Sequence, residues 1–264
     1  MELTVESKQV FAATGGRDFD RSLPTIVFLH GAGMDHSVWA LLARAFAHHG
    51  FGVIAPDLPG HGRSAGPALT SIAALADWTV ALMDAAGVKA ARLIGHSMGS
   101  LIALEMAARY AEKVTALGLI ATAAPMDVSD DLLAAAKAND HAAIDMMSIW
   151  GYGQRAVLGG CEAPGLWMLG GAERLLERAQ AGVLFADLSA CNDYKNALSA
   201  AAKVAVPSVV ILGGRDMMTP LKKGKAIAAA LADCRLTVLE DSGHMLMGER
   251  PNEVLVALRS GSGA

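Results

Sequence analysis

The sequence predicts an α/β protein: a mostly parallel, doubly wound sheet of about eight strands, interrupted by a helical insertion. Three observations predict it. Short continuous apolar runs recur along the chain and end at Gly-bearing turns, the pattern of strands buried on both faces. Segments with helical apolar spacing alternate with them. The strand rhythm stops between about residue 125 and residue 203 and then returns.

Taken in order, residues 2–13 alternate loosely before Gly15-Gly16 and read as one or two edge strands. Thr25–Leu29 is an apolar strand that ends at His30-Gly31. Val38, Leu41, Leu42, Ala45 and Phe46 lie at helical spacing within residues 37–48. Phe51–Ala55 is a further strand, followed by Pro56-Asp-Leu-Pro-Gly-His-Gly62. An Ala-rich helix covers 71–86, and a strand at Arg92–Ile94 runs into Gly95-His-Ser-Met-Gly99. A helix over Leu101–Tyr110 and a strand over Val114–Ile120 come next. The middle block carries only short helical patterns, at Leu132–Lys137, Ala142–Ile149 and Glu173–Phe185, joined by turns such as Gly151-Tyr-Gly153 and Ala163-Pro-Gly165. Val206–Leu212 is again a strand, then a helix over 220–231, a strand at Arg235–Leu239 and a helix at Asn252–Leu258. Residues 1–124 and 204–264 therefore form the expected core, and 125–203 a helical cap.

The chain has 264 residues, 53% hydrophobic and 18% charged, enough to bury a rigid core and far from a disordered composition. The net charge of −4 comes without a Lys/Arg cluster interleaved with aromatics, which argues against a nucleic-acid partner. Cys161, Cys191 and Cys234 are scattered and form no CxxC pair, so neither a zinc site nor a disulfide framework is expected, and free buried thiols are. The N-terminus has no basic segment followed by an apolar one, and no apolar run reaches the roughly 20 residues of a bilayer span. The expected location is cytoplasmic, with no membrane span, no metal and no cofactor.

Gly95-His96-Ser97-Met98-Gly99 fits G-x-S-x-G between a strand and a helix. A serine on so sharp a turn projects its hydroxyl above the sheet edge, and small neighbours two residues away permit the close approach of strand and helix. The turn also sets the Met98 N–H at a helix N-terminus, where it can stabilise negative charge. This motif, His30-Gly-Ala-Gly33 after an early strand, and Asp57-Leu-Pro-Gly-His-Gly-Arg-Ser64 together resemble the α/β-hydrolase superfamily, over about residues 23–258. The resemblance implies an α/β-hydrolase fold, an esterase-like serine hydrolase, and a catalytic triad in the chain order Ser, Asp or Glu, His.

A serine hydroxyl needs an adjacent base. Of the eight histidines, His244 lies just past the last strand in Asp241-Ser-Gly-His244 and follows both the serine and the best acid. His96 is expected to point into the sheet, His30 to brace its loop, and His48 and His49 to cap a surface helix; His61 sits in a Pro-Gly-His-Gly turn and His141 in the cap. Asp216 is the preferred acid, after the strand ending at Leu212, while Asp241 is too close in sequence to oppose His244 easily. Some family members carry the acid after the sixth strand, but here no carboxylate follows Ile120 until Asp127. By resemblance the oxyanion hole takes the N–H groups of Met98 and Ala32, with Gly33 as fallback. Dehalogenases and epoxide hydrolases of this fold use Asp where this chain has Ser97, which disfavours their chemistry.

Met146, Trp150, Trp167, Met217 and Met245 are the expected pocket residues, since flexible thioethers and aromatics suit an adaptable apolar site. The expected partner is a small-molecule, ester-type substrate of small to medium size, and the chain is compatible with a homodimer. Hydrolysis of carbon–carbon bonds in diketones, lactone or thioester cleavage, and cofactor-free haloperoxidase-like chemistry use the same triad and stay open. A ligand-binding receptor is a rival of another class, opposed by the intact triad.

Overall fold

Two strands, β1 (Glu2–Val5) and β2 (Lys8–Ala13), form an antiparallel hairpin at one edge of the sheet. The other six are parallel: β3 (Thr25–Leu29), β4 (Gly52–Pro56), β5 (Ala91–His96), β6 (Val114–Ile120), β7 (Ser208–Gly213) and β8 (Cys234–Leu239). The order across the sheet is β1-β2-β4-β3-β5-β6-β7-β8, so the topology reverses direction around β3. The computed structural model describes residues 1–160 and 165–260; Cys161 and the Ala163-Pro164 half of the expected turn lie outside the described residues.

The continuous apolar runs are explained by burial on two faces. Along β3, Val27 and Leu29 enter one core while Ile26 and Phe28 enter the other, the period-two alternation of a strand with both sides covered. One face is covered chiefly by α2 (Ile72–Ala85) and α3 (Met98–Arg109), the other by α1 (Ala40–His48) and the C-terminal helix. Among the described residues, six helices separate β6 from β7: α4 (Asp130–Ala138), α5 (Ala142–Trp150), α6 (Gln154–Val157), α7 (Met168–Glu177), α8 (Val183–Asp193) and α9 (Ala197–Ala201). No strand occurs among the described residues of this stretch. After β7 come α10 (Leu221–Ala230), then β8, α11 (Leu246–Glu249) and α12 (Pro251–Ser260).

One expected helix is corrected. Glu173–Phe185 is not continuous: α7 ends at Glu177 and α8 starts at Val183. Gly182, at φ 83°, supplies a left-handed turn that breaks the helical run. The turn directs α8 onto α3 and α4. Among the described residues, no helix is long and apolar enough to cross a membrane.

Candidate active site

Four loops at the C-terminal ends of the parallel strands converge, as expected where an open α/β sheet reverses its winding. They follow β3, β5, β7 and β8. Ser97 sits between β5 and α3 with φ 52° and ψ −118°, a conformation that L-residues rarely adopt. Its N–H donates to the Ile120 carbonyl at 2.9 Å, and its own carbonyl accepts the N–H and hydroxyl of Ser100. The elbow needs its glycines. A Cβ on Gly95 would lie 2.0 Å from the Gly99 carbonyl oxygen, and one on Gly99 would lie 2.1 Å from that of Leu29.

His244 and Asp216 meet across two loops. The imidazole Nδ1 donates to Asp216 Oδ2 at 2.8 Å, and both side chains are almost wholly buried. The Thr219 hydroxyl donates to the same oxygen at 2.5 Å, while Oδ1 accepts the N–H groups of Met218 and Thr219 at 2.9 and 2.7 Å. Burial pushes this carboxyl toward the neutral form. The neighbouring imidazole and the Thr219 donors outweigh burial and hold it below its ordinary value. The close approach of the two loops depends on Gly213, where a Cβ would fall 2.0 Å from the Gly243 carbonyl oxygen. Asp127, by contrast, is paired with Lys195 and Lys223 at the surface.

Two of the other histidines, His30 and His96, hold loops. His30 is buried; its Nδ1 donates to the Gly31 carbonyl and its Nε2 accepts the Leu58 N–H at 3.1 Å, tying the loop after β3 to the Pro-Gly turn. Burial, reinforced by the nearby His61, lowers its pKa to about 4. His96 does more than point into the sheet. Its ring lies 4.8 Å from that of His244, and its Nε2 donates to the His244 carbonyl at 3.0 Å. Burial, together with the charge of the neighbouring imidazole, lowers its pKa to about 3, so it supports the His244 loop as a neutral donor. His48 and His49 are exposed at the end of α1, and His141 pairs at the surface with Asp145 and Glu177.

Ala32 and Ser97 line one cavity with His244, of about 420 Å3, bounded also by Trp150, Met217 and Met218. Met98 follows the serine as the first residue of α3. The Gly33 N–H donates to Asp187 Oδ2 at 2.8 Å, which removes Gly33 from the candidate oxyanion donors. On its other side, His244 borders a second cavity of about 500 Å3 with Met245, Trp167, Met168 and Met147. Met34, Met147, Met218 and His244 are common to both. Of the expected pocket residues, Met146 is the one displaced. It packs half-buried against the core, and Met147 takes the cavity position instead, because neighbours on a helix point about 100° apart.

Glu249 and Asp187 are buried carboxylates that the sequence reading does not single out. Glu249 accepts the N–H groups of Gly243 and Gly153, gripping the residue before His244 and the start of α6 together. Burial raises its pKa. Asp187 sits on α8 against His61. The signal for Asp187 is an acid inside the apolar run Val183-Leu-Phe-Ala-Asp-Leu188. Among the described residues, one group of side chains has metal-ligand spacing: Asp35, His36 and Asp57. Its carboxylate oxygens are already engaged, Asp57 by His36 and the Arg63 N–H, and Asp35 by Ser37 and Arg178.

A family model described as "Alpha/beta hydrolase family" matches residues 26–258. A pimeloyl-(acyl-carrier protein) methyl ester esterase of Chromobacterium violaceum is 32% identical over 230 residues, covering 84% of this chain and 87% of that protein. Among solved structures, an enol-lactonase from Burkholderia xenovorans LB400 superposes with a TM-score of 0.85 at 23% identity, over 98% of both chains. An esterase from Exiguobacterium antarcticum superposes with a TM-score of 0.85 at 18% identity, over 100% of this chain and 99% of that one. At these identities the two structures speak for the fold alone.

Proposed function

The chain belongs to the alpha/beta hydrolase family, and from that membership we propose that it cleaves carboxylic esters by two-step acyl transfer. Ser97 is the nucleophile, His244 the base and Asp216 the acid that orients it. The observation that carries this reading is the buried His244–Asp216 pair at 2.8 Å, with His244 bordering the same cavity as a serine in a strained turn.

Because Nδ1 of His244 carries the proton given to Asp216, Nε2 is left as the acceptor. His244 takes the hydroxyl proton as Ser97 attacks the ester carbonyl. The N–H groups of Ala32 and Met98 stabilise the oxyanion. His244 then protonates the leaving alcohol, and activates water to hydrolyse the acyl-enzyme. The reaction needs no metal or cofactor. The helices over 125–203 act as a cap on a core made of 1–124 and 204–264. The apolar lining of both cavities supports a substrate of small to medium size with an apolar acyl or alkyl part. The relative from Chromobacterium violaceum, named for the methyl ester of a carrier-bound acyl chain, supports an aliphatic acyl group and a small alcohol.

The test is hydrolysis of an aryl ester series of increasing chain length by wild type and by Ser97→Ala. Turnover is expected for apolar acyl groups and should vanish in the variant, whose melting temperature stays at the wild-type value. A serine-directed fluorophosphonate is expected to label wild type rapidly, as a receptor without turnover would not. Full activity of Ser97→Ala, or preference for strongly charged acyl groups, would refute the assignment. Faster cleavage of a vinylogous diketone, or peroxide-dependent bromination in acetate, would move the substrate class and keep the triad.

A further inference from the structure

Where the helical insertion meets the core, a carboxylate and an imidazole that acyl transfer does not use are buried together. Asp187, on α8, has no exposed surface, and His61, in the turn after β4, has 2%. His61 Nε2 lies 2.7 Å from Asp187 Oδ2, and Nδ1 lies 3.0 Å from the Pro59 carbonyl oxygen. Both partners are acceptors. Both ring nitrogens must therefore donate, and the ring is an imidazolium. Burial opposes that charge, but the attraction of Asp187 and the hydrogen bonds to Asp187 and Pro59 outweigh it and raise the His61 pKa. His61 also faces the His30 ring at 4.9 Å, which donates from Nδ1 and accepts at Nε2 and is therefore neutral.

The oxygen that takes the His61 proton also takes the N–H of Gly33 at 2.8 Å. Gly33 follows Ala32 in the loop after β3, at φ 69°. The insertion also touches this glycine directly: a Cβ there would come within 3.0 Å of Leu184 on α8 and 3.1 Å of Leu176 on α7. A charge-assisted hydrogen bond and apolar side chains from two insertion helices therefore hold one residue of the loop.

We infer that Asp187, held by His61, is the positioning residue of the oxyanion hole. By holding the Gly33 N–H it fixes the Ala32–Gly33 peptide plane, and so restricts the adjoining Ala32 N–H, which is joined to that plane through the φ and ψ of Ala32 alone. The oxyanion hole is then complete only while α8 is seated on the core. This inference rests on the acyl-transfer reading of Ser97.

The experiment compares Asp187→Asn with wild type, each normalised by active-site titration with a fluorophosphonate. The asparagine keeps the shape and loses the charge that holds the imidazolium. The expected loss in kcat per titrated site is roughly ten- to a hundredfold, short of the 10²–10³ of deleting a donor outright. KM should stay within about twofold. The inhibition constant of a trifluoromethyl ketone, which adds to Ser97 and needs the oxyanion hole, should rise by the same factor as kcat falls. Fewer titratable sites with unchanged kcat per site and unchanged ketone affinity would show a merely structural role and overturn the inference. Should the variant not fold, 15N-labelled histidine in the wild-type protein gives a second reading at neutral pH. His61 is expected with both ring nitrogens protonated, and a neutral, single-tautomer ring would overturn it. Labelling of wild type at Ser97 checks the acyl-transfer reading itself; with labelling intact, a failure at Asp187 sinks only the positioning role.

Discussion

Replacing Asp216 by Asn should nearly abolish turnover while leaving the fold in place, and the hydrogen bonds around the carboxylate say why. Oδ1 accepts two backbone N–H groups, from Met218 and Thr219. An asparagine must put its carbonyl oxygen there, because its amide nitrogen cannot accept. Its NH2 then occupies the Oδ2 position and faces His244 Nδ1, now 2.8 Å from a carboxylate oxygen. Two donors cannot share that contact, so the imidazole gives up its Nδ1 proton and carries it on Nε2. Nε2 then has no lone pair for the Ser97 proton. The cost of a wrongly held tautomer in a serine triad is about 10⁴ in kcat, or about 5 kcal/mol at roughly 1.4 kcal/mol per decade. The two backbone acceptor bonds survive, so the melting temperature should fall by only a few degrees. The assay is aryl ester hydrolysis per titrated site, beside thermal melting by circular dichroism. Retention of more than about a tenth of wild-type kcat in a folded Asp216→Asn variant would refute the tautomer argument.

Two glycines separate folding from catalysis. Gly99→Ala puts a Cβ 2.1 Å from the Leu29 backbone oxygen, which cannot give way, and should leave little soluble folded protein. Gly31→Ala meets His96 Nδ1 at 2.9 Å and the Ser97 Cβ at 3.3 Å, so it should fold with a loss of about 1–3 kcal/mol and lose activity disproportionately. Melting curves and kcat per titrated site for both would show it, and a fully active Gly31→Ala would contradict the close packing of loop and elbow. Stability should also fall in acid. In Asp57, as in Asp216, burial is outweighed: the hydrogen bond from the His36 ring, the N–H groups of His36 and Arg63 and the charge of His36 hold the pKa below the ordinary 3.8. Lowered folded values mean that both contribute stability above 3.8, and that the contribution disappears as pH falls through the folded values. Urea unfolding at several acid pH values should show this slope, and an unchanged slope in Asp57→Asn would remove Asp57 from the explanation.

The parts of the molecule legible in the sequence are those fixed by short-range constraints. β3 announces itself because both faces of a central strand must be apolar. Ser97 does so because the elbow admits only small residues at positions 95 and 99. Asp216 and His244 follow at the ends of strands, so finding the strands nearly finds them. The insertion is less legible because no sheet fixes the phase of its helices: Met146 and Met147 are equally apolar, and packing of α5 selects Met147 for the cavity. The break between α7 and α8 is hidden for a similar reason, since Arg178-Ala-Gln-Ala181 suits a helix and only Gly182 signals the turn. Glu249 and Asp187 are harder to read: an acid in an apolar run marks Asp187 as unusual, but Gly153 and Gly33, the backbone groups that the two carboxylates bring in, lie 96 and 154 residues away.

Those long-range contacts change what the insertion is for. The N–H groups of His244 and Met245 both donate to the Gly151 carbonyl, at 2.9 and 3.0 Å, and Glu249 joins Gly153 to Gly243. The segment that leaves α5 is therefore stitched to the loop of the proposed base, as α8 is stitched through Asp187 to the loop of the proposed oxyanion donor. A helical block attached only for substrate selection would contact its ligand and otherwise slide over the core. Here it holds backbone groups beside both the proposed base and the proposed oxyanion donor, where displacements of about 1 Å cost large factors in rate. Exchange of this block for a relative's should accordingly alter kcat along with chain-length preference, because the geometry of the chemistry and the shape of the pocket are set by the same helices.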